Sequence, residues 1–148
     1  MTTHLNLFVV GAPVGRTQPV EVEKIEPGIY KILYSPGLVE GIAAGDVIRL
    51  TDVSLGLFEI VNRGGNISVK WMASSPISEF LNQADQILKP LGSRRDGDIA
   101  KAAVWTIPIS ATFVAIEEAM EKVIELVPDS GWWYGNVYDE NDNPLNWW

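Results

Sequence analysis

The spacing of the apolar residues changes near residue 75, and this change constrains the fold more than any other feature of the sequence. Before it, apolar and polar residues alternate in short runs that glycine and proline interrupt, which is typical of β-strands. After it, two stretches repeat apolar residues with the spacing of a helical face. The sequence therefore predicts a β-rich half followed by a half in which helices and strands alternate.

The alternating runs predict about six short strands between Leu5 and Met72. Pro27-Gly28 separates two of these runs and predicts a hairpin turn. Gly64-Gly65 separates two others and predicts a second hairpin, because glycine supplies the positive φ that a tight turn requires. Short strands with frequent turns favour a small β-barrel or a curled antiparallel sheet.

Two helices are predicted in the second half of the chain. The first follows Ser75-Pro76, ends at Pro90 and Gly92, and carries an apolar stripe at Ile77, Phe80, Leu81, Ala84, Ile87, Leu88 and Leu91. The second runs from about Thr112 to Val127, with Phe113, Ile116, Met120, Val123 and Val127 on one face.

Strands are predicted around these helices. A short strand near Gly92 to Arg95 leads through an Asp96-Gly97 turn into a strand from Ala102 to Ile109, and Trp132 to Tyr138 forms the last strand. With Ile67 to Met72 as the first strand, the order is β-α-β-β-α-β, that of a ferredoxin-like plait. We therefore expect an α+β protein in which a small barrel-like or curled antiparallel sheet (residues 1–66) packs on a ferredoxin-like half (residues 67–148) as one compact unit.

Several segments carry a resemblance to a known family. They are Pro19 to Glu23, Gly28 to Ile32, and Gly41 to Ile48 with its Gly-x-x-x-Gly-Asp pattern, followed by the Gly-Gly pair and the plait. In these segments the chain resembles a bacterial family of unknown function, over most of its length. The resemblance implies the two-part fold and supplies no catalytic residues, and the aromatic C-terminal end has no counterpart in the pattern.

Negative charge is concentrated at the C-terminal end. The chain has 19 acidic and 11 basic residues and a formal net charge of -8. Residues 110–148 hold eight of the acids, one of the bases and four of the six Trp, so seven of the eight net charges lie there. An acidic protein is repelled by nucleic-acid backbones and anionic membranes, so neither is a predicted partner.

The residues needed for most catalytic chemistry are missing from the sequence. It has no Cys, which excludes disulfides, thiol nucleophiles and Cys-bound zinc, and His4 is its only His. No Gly-x-Ser-x-Gly motif surrounds any Ser, so we predict no enzyme. The short apolar run Leu5 to Val10 lacks the basic flank of a signal peptide, which predicts a cytoplasmic protein.

No metal or cofactor is predicted. Asp139 to Asn143 resembles the start of a calcium loop, but Pro144 stands where the loop needs Gly, which favours a polar turn held by its own side chains. The Gly11–Arg16 loop lacks the strand-to-helix setting and the Lys-Ser/Thr of a phosphate cradle. Arg94-Arg95 is read as a solvated pair in a charged turn.

The acidic, aromatic end is the predicted binding surface, because Trp and Tyr are enriched at interface hot spots and acidic neighbours attract basic partners. Whether the two terminal Trp side chains dock on their own domain or on a partner stays open at this point. The candidate partner-binding residues are Trp132, Trp133, Tyr134, Tyr138, Asp139, Glu140, Asp142, Trp147, Trp148, Glu117 and Glu121.

Three functions are compatible with these features. The first is a non-enzymatic protein that binds a basic protein partner, most specifically an immunity protein that neutralises a basic bacterial toxin. The second is a small-molecule-binding or regulatory domain with a pocket between the halves, lined by Tyr30, Tyr34, Trp71 or Trp105. The third is an enzyme that uses only Asp, Glu, Arg and Tyr. A homodimer is compatible with each of them.

Overall fold

The computed structural model describes residues 1–13 and 15–148 and shows an α+β protein with two antiparallel sheets. Val14, in the loop considered above as a phosphate cradle, lies outside the described residues. The first sheet has five strands, each paired with its neighbour in sequence. They are β1 (Thr2–Phe8), β2 (Thr17–Glu26), β3 (Ile29–Ile32), β4 (Val47–Asp52) and β5 (Leu57–Asn62).

The first sheet curls around an apolar core that includes Leu7, Val22, Ile32 and Ile48. Its outer strand β1 approaches the turn before β5, where the backbone N–H of Phe8 donates to the carbonyl oxygen of Gly56, 2.9 Å away. Within the described residues β1 and β5 form no ladder, so the sheet stays open. The curled sheet is therefore confirmed, and the structure shows no closed barrel.

The second sheet has the topology of the predicted plait. Its strands are ordered β7-β8-β6-β9, so the first and third strands of the β-α-β-β-α-β unit are central, as in a ferredoxin-like fold. The elements are β6 (Asn66–Ala73), α1 (Leu81–Leu88), β7 (Arg94–Ile99), β8 (Ala102–Pro108), α2 (Phe113–Ile124) and β9 (Ser130–Tyr134).

Both helices cover one face of the second sheet. Their predicted apolar stripes are buried there, around Trp71 of β6 and Trp105 of β8, whose ring centroids lie 6.3 Å apart. Short 3-10 turns at Ser78–Phe80 and Lys89–Leu91 extend α1 at its two ends. In the described part of the chain no helix is long and apolar enough to cross a membrane.

The predicted Gly64-Gly65 hairpin is wrong. β5 pairs only with β4 in the described structure, and β6 pairs with β8 and β9, so the two glycines carry the chain from one sheet to the other. A Cβ on Gly64 would overlap the backbone of Gly45, whose Cα would lie 2.6 Å away. Glycine is therefore required at residue 64, because the backbones of residues 45 and 64 approach each other closely. Its neighbour Gly65 has a positive φ of 80°, which also favours glycine.

Other predicted boundaries also shift. Asp96-Gly97 is not a turn: it lies inside β7, where the register shifts between Arg95 and Gly97 and forms a bulge. The last strand ends at Tyr134, four residues early, since the side chain of Asn136 takes the place of a ladder partner for Ser68 N–H at 2.9 Å. Ser75-Pro76 does not cap α1 directly: the 3-10 turn Ser78–Phe80 precedes the helix, and Phe80 occupies its N-cap position.

Residues 33–46, called the connector below, join β3 to β4 and lie between the two sheets. Val39 and Ile42 are buried in the core of the first sheet. Ser35 faces the second sheet, where its hydroxyl lies 2.6 Å from that of Thr106 and its N–H donates to buried Asp96 at 2.7 Å. The connector thereby covers part of the face of the second sheet that the helices leave free.

A buried carboxylate fixes the end of the connector. Asp46 is fully buried and accepts hydrogen bonds from the backbone N–H groups of Ala43 and Gly64, at 3.0 and 2.9 Å, and from Arg63 at 3.2 Å. Burial raises the pKa of Asp46, and these donors act against that rise by stabilising the charged form. One side chain therefore holds the connector and the crossing between the sheets together.

We expect Gly64→Ala to destabilise the protein by about 2–3 kcal/mol, because the added methyl group forces the backbones of residues 45 and 64 apart. Gly37→Ala is the matched control, since a Cβ there meets no atom within 4 Å. Chemical denaturation measures both free energies of unfolding. Equal values for the two variants would contradict the proposed close approach.

Candidate functional site

Two grooves lie between the halves, and Trp133 of β9 lines both of them. The first, called the β9 groove, has a volume of about 740 Å³. The second, called the connector groove, has a volume of about 530 Å³. Seven of the eleven predicted partner-binding residues line the β9 groove: Trp132, Trp133, Tyr134, Tyr138, Asp139, Glu140 and Asp142.

The side chains of β9 alternate between the two faces of the second sheet, as predicted. Trp132 and Tyr134 lie on the helix side, where the Trp132 Nε1–H donates to Glu121 at 3.3 Å and the Tyr134 hydroxyl donates to Glu117 at 2.8 Å. Burial is the main cause that raises the pKa of Tyr134, and the hydrogen bond to Glu117 raises it further. These contacts place the two predicted glutamates of α2 beside β9, although they do not line the groove itself.

Trp133 points to the opposite face, away from the helices. Its side chain is 38% exposed, at the boundary where both grooves meet Glu40 and Val10. A large aromatic ring that is accessible from two grooves is available for contact with a ligand.

The acidic loop after β9 is a polar turn, as predicted for Asp139 to Asn143. The side chain of Asp139 accepts the backbone N–H groups of Asn141 and Asn143, both at 2.9 Å. The bond from the backbone of Asn143 is the main cause that lowers the pKa of Asp139. Asp139 therefore has a structural role in the turn, while exposed Glu140 and Asp142 carry free negative charge at the rim of the groove.

The two terminal Trp residues dock on their own domain. The Nε1–H of Trp147 donates to the carbonyl of Asn136 at 2.8 Å, and its ring packs on the core of the second sheet. Trp148 packs edge-on against Phe113 of α2 with a centroid distance of 5.1 Å and stays 46% exposed. Neither residue lines the β9 groove, so the structure separates them from the other aromatic residues predicted to bind a partner.

The opposite wall of the β9 groove comes from the first half of the chain, which the sequence analysis did not assign to the site. It consists of Val10, Glu40, Gly41, Phe58, Ile60 and Arg63. No local motif marks these residues. The alternation along β5 predicts that Phe58 and Ile60 share one apolar face of that strand. It does not show which other element this face contacts.

The charge of the β9 groove is strongly negative. Among its described lining residues there are four acids, namely Glu40, Asp139, Glu140 and Asp142, and one base, Arg63. The guanidinium of Arg63 already donates to the carbonyl of Gly41 at 2.7 Å and to Asp46 at 3.2 Å, and it lies 5.5 Å from the ring centroid of Trp147. Its charge is therefore used inside the fold, and that of Glu40 is used in a pair with Lys70 at 2.9 Å, whereas exposed Glu140 and Asp142 keep theirs at the rim.

The connector groove contains two of the four aromatic residues predicted for a pocket between the halves. Tyr34 lines it with an exposed ring and Trp71 borders it, but the Trp71 ring is fully buried with Trp105 on the helix side, and Tyr30 packs on the core of the first sheet. Its polar residues include buried Lys70, which pairs with Glu40 at 2.9 Å, and burial lowers the pKa of Lys70. Its exposed apolar side chains are Val10, Tyr34, Leu38, Met72, Ile99 and Trp133.

The remaining candidates for chemistry do not line either groove. His4 is an exposed residue of β1, as expected for a histidine near the start of a strand. Across residues 1–13 and 15–148, no cluster of three or more His, Asp or Glu side chains could hold a metal ion. Arg94 is not a free cation: it pairs with Asp96 at 2.6 Å and stacks over Tyr34 at 4.9 Å.

Comparisons with known proteins agree with this architecture. A solved structure described as a hypothetical protein from Neisseria gonorrhoeae matches with a TM-score of 0.66 and 10% sequence identity, over 90% of this chain and 92% of the other. At that identity the likeness shows the fold alone. No curated protein matches the sequence. A family model described as a domain of unknown function, DUF4265, matches residues 19–134, which is more than half of the chain. The chain therefore belongs to the DUF4265 family.

Proposed function

We propose that this protein is a non-enzymatic binding protein that takes a basic segment of a protein partner into the β9 groove. The single observation that carries the proposal is the composition of that groove, which combines exposed Glu140 and Asp142 at its rim with aromatic and aliphatic walls, while its base Arg63 and its acid Glu40 are each paired inside the fold. Acidic rims attract basic partners and set the association rate, while buried aromatic contacts supply the binding energy.

The geometry suits lysine and arginine side chains in particular. Their charged ends can reach Glu140 and Asp142 at the rim, and apolar residues between them in the segment can lie on Trp133. Because the rim acids are exposed, salt screens them, and association slows as ionic strength rises.

We expect the double variant Glu140→Gln/Asp142→Asn to weaken binding of a basic peptide by about tenfold, since two rim charges are lost. The probe is an acetylated and amidated heptapeptide of alternating lysine and valine, and isothermal titration calorimetry measures its affinity. Asn tolerates the positive φ of 60° at residue 142, so the fold is retained.

The matched control is Glu118→Gln/Asp129→Asn. It removes the same two charges from exposed positions outside the groove, and residue 129 also has a positive φ, of 57°. The control should lower affinity by about twofold or less, through net charge alone. An equal loss of affinity in both double variants, or no binding of the peptide by the wild type, would contradict the proposed function.

In its most specific form, the proposal is that the partner is a basic toxin and that this protein is its cytoplasmic immunity protein. The concentration of negative charge near β9 and the small size of the chain support this form. A toxin encoded beside its gene is the expected partner. Coexpression should then restore growth of cells that the toxin alone arrests, whereas continued arrest would remove the immunity role and leave the groove proposal intact.

A small-molecule site in the connector groove is the second candidate, favoured by its six exposed apolar side chains. An anilinonaphthalene sulfonate dye should fluoresce with the wild type and lose most of that signal with Met72→Glu, which places a charge in the groove. Val61→Glu, at an exposed position of β5 outside the groove, is the control. An unchanged signal with Met72→Glu would reject this site.

A further inference from the structure

We infer that β9 binds its partner as an added β-strand, paired along the outer edge of the second sheet. The inference rests on the proposed function and adds to it the backbone geometry and side-chain pattern of the bound segment.

The outer edge of β9 has unpaired backbone groups. The N–H of Gly135 donates to the carbonyl of Ser68 on β6 at 2.8 Å. Hydrogen-bonded positions alternate along an antiparallel pair, so Trp133 also faces β6 with its backbone groups. Trp132 and Tyr134 then point their N–H and C=O groups away from β6, and within the described residues no other strand pairs with β9.

The two edges of the second sheet differ in how they are protected. At the other edge, β7 carries a bulge and charged residues, including Arg95 and Asp98, which are common devices against pairing with another chain. β9 reads Ser-Gly-Trp-Trp-Tyr and has no charge, proline or register shift. An apolar, regular edge of this kind is competent to accept a strand.

The β9 groove follows this edge. Three consecutive residues of β9, Trp132, Trp133 and Tyr134, all line it, although their side chains alternate between opposite faces of the sheet. A groove that runs beside the backbone of β9 is in contact with all three residues. The loop that starts at Tyr138 and the residues of β5 form walls on either side.

The occupant is an extended segment of a partner that alternates basic and apolar residues. Side chains on the helix side of an added strand approach Glu117 and Glu121, which lie next to β9 through their bonds to Tyr134 and Trp132. Side chains on the other side meet Trp133, Phe58 and Ile60. A second copy of this chain fits poorly, since pairing β9 with β9 brings two acidic α2 helices together.

The test uses two backbone-methylated forms of the lysine–valine heptapeptide with the full chain. One form is N-methylated at the lysine residues and the other at the valine residues. Only alternate N–H groups of an added strand face its neighbour, so one form should lose binding by about tenfold or more and the other should bind nearly as the parent. Loss with methylated lysines identifies an antiparallel strand, and loss with methylated valines a parallel one.

Hydrogen exchange supplies the second readout. The unmethylated peptide should slow exchange of the backbone amides of Trp132 and Tyr134 by about tenfold, while that of Trp133, already paired with β6, changes little. If both methylated forms bind like the parent, or both fail equally, strand addition is overturned. If the parent peptide binds but these amides exchange as before, strand addition also fails and the groove proposal stands. If the parent peptide does not bind, both fail.

Discussion

The buried carboxylate of Asp46 is the interaction on which the placement of both grooves depends. It accepts hydrogen bonds from the connector at Ala43 and from the sheet crossing at Gly64, and it pairs with Arg63. Burying a carboxylate costs free energy unless donors surround it, so these segments are held in one arrangement. From this point the N–H of Gly41 reaches the carbonyl of Gly135 at 2.7 Å, which ties the connector to the end of β9.

The architecture of each half was predictable from residue spacing, because alternation and helical periodicity report which face of an element is buried. The two apolar stripes and the strand order of the plait were found in this way. The path between the halves was not, since Gly64-Gly65 has the composition of a hairpin turn. The need for glycine at residue 64 comes from the backbone of Gly45, nineteen positions earlier in the chain, and local sequence does not contain that contact.

The sequence predicted one wall of the candidate site and not the opposite one. The acidic and aromatic residues from Trp132 to Asp142 stand together in the sequence, and the structure places them along one groove. Phe58, Ile60 and Arg63 could not be assigned to it, because tertiary packing alone brings β5 opposite β9. Trp147 and Trp148 show the reverse case: their composition suggests a binding surface, but hydrogen bonding to Asn136 and packing on Phe113 hold them on their own domain.

The indole N–H signals of the six Trp residues offer the most direct test of the central claim, that a basic segment binds beside β9. In a two-dimensional NMR titration of the full chain with the lysine–valine heptapeptide, the signals of Trp132 and Trp133 should shift in a saturable way. Those of Trp71 and Trp105, which are fully buried under the helices, should stay in place. Saturable shifts of Trp132 and Trp133 alone would support the account. No shift at these two residues, or equal shifts at all six, would contradict it.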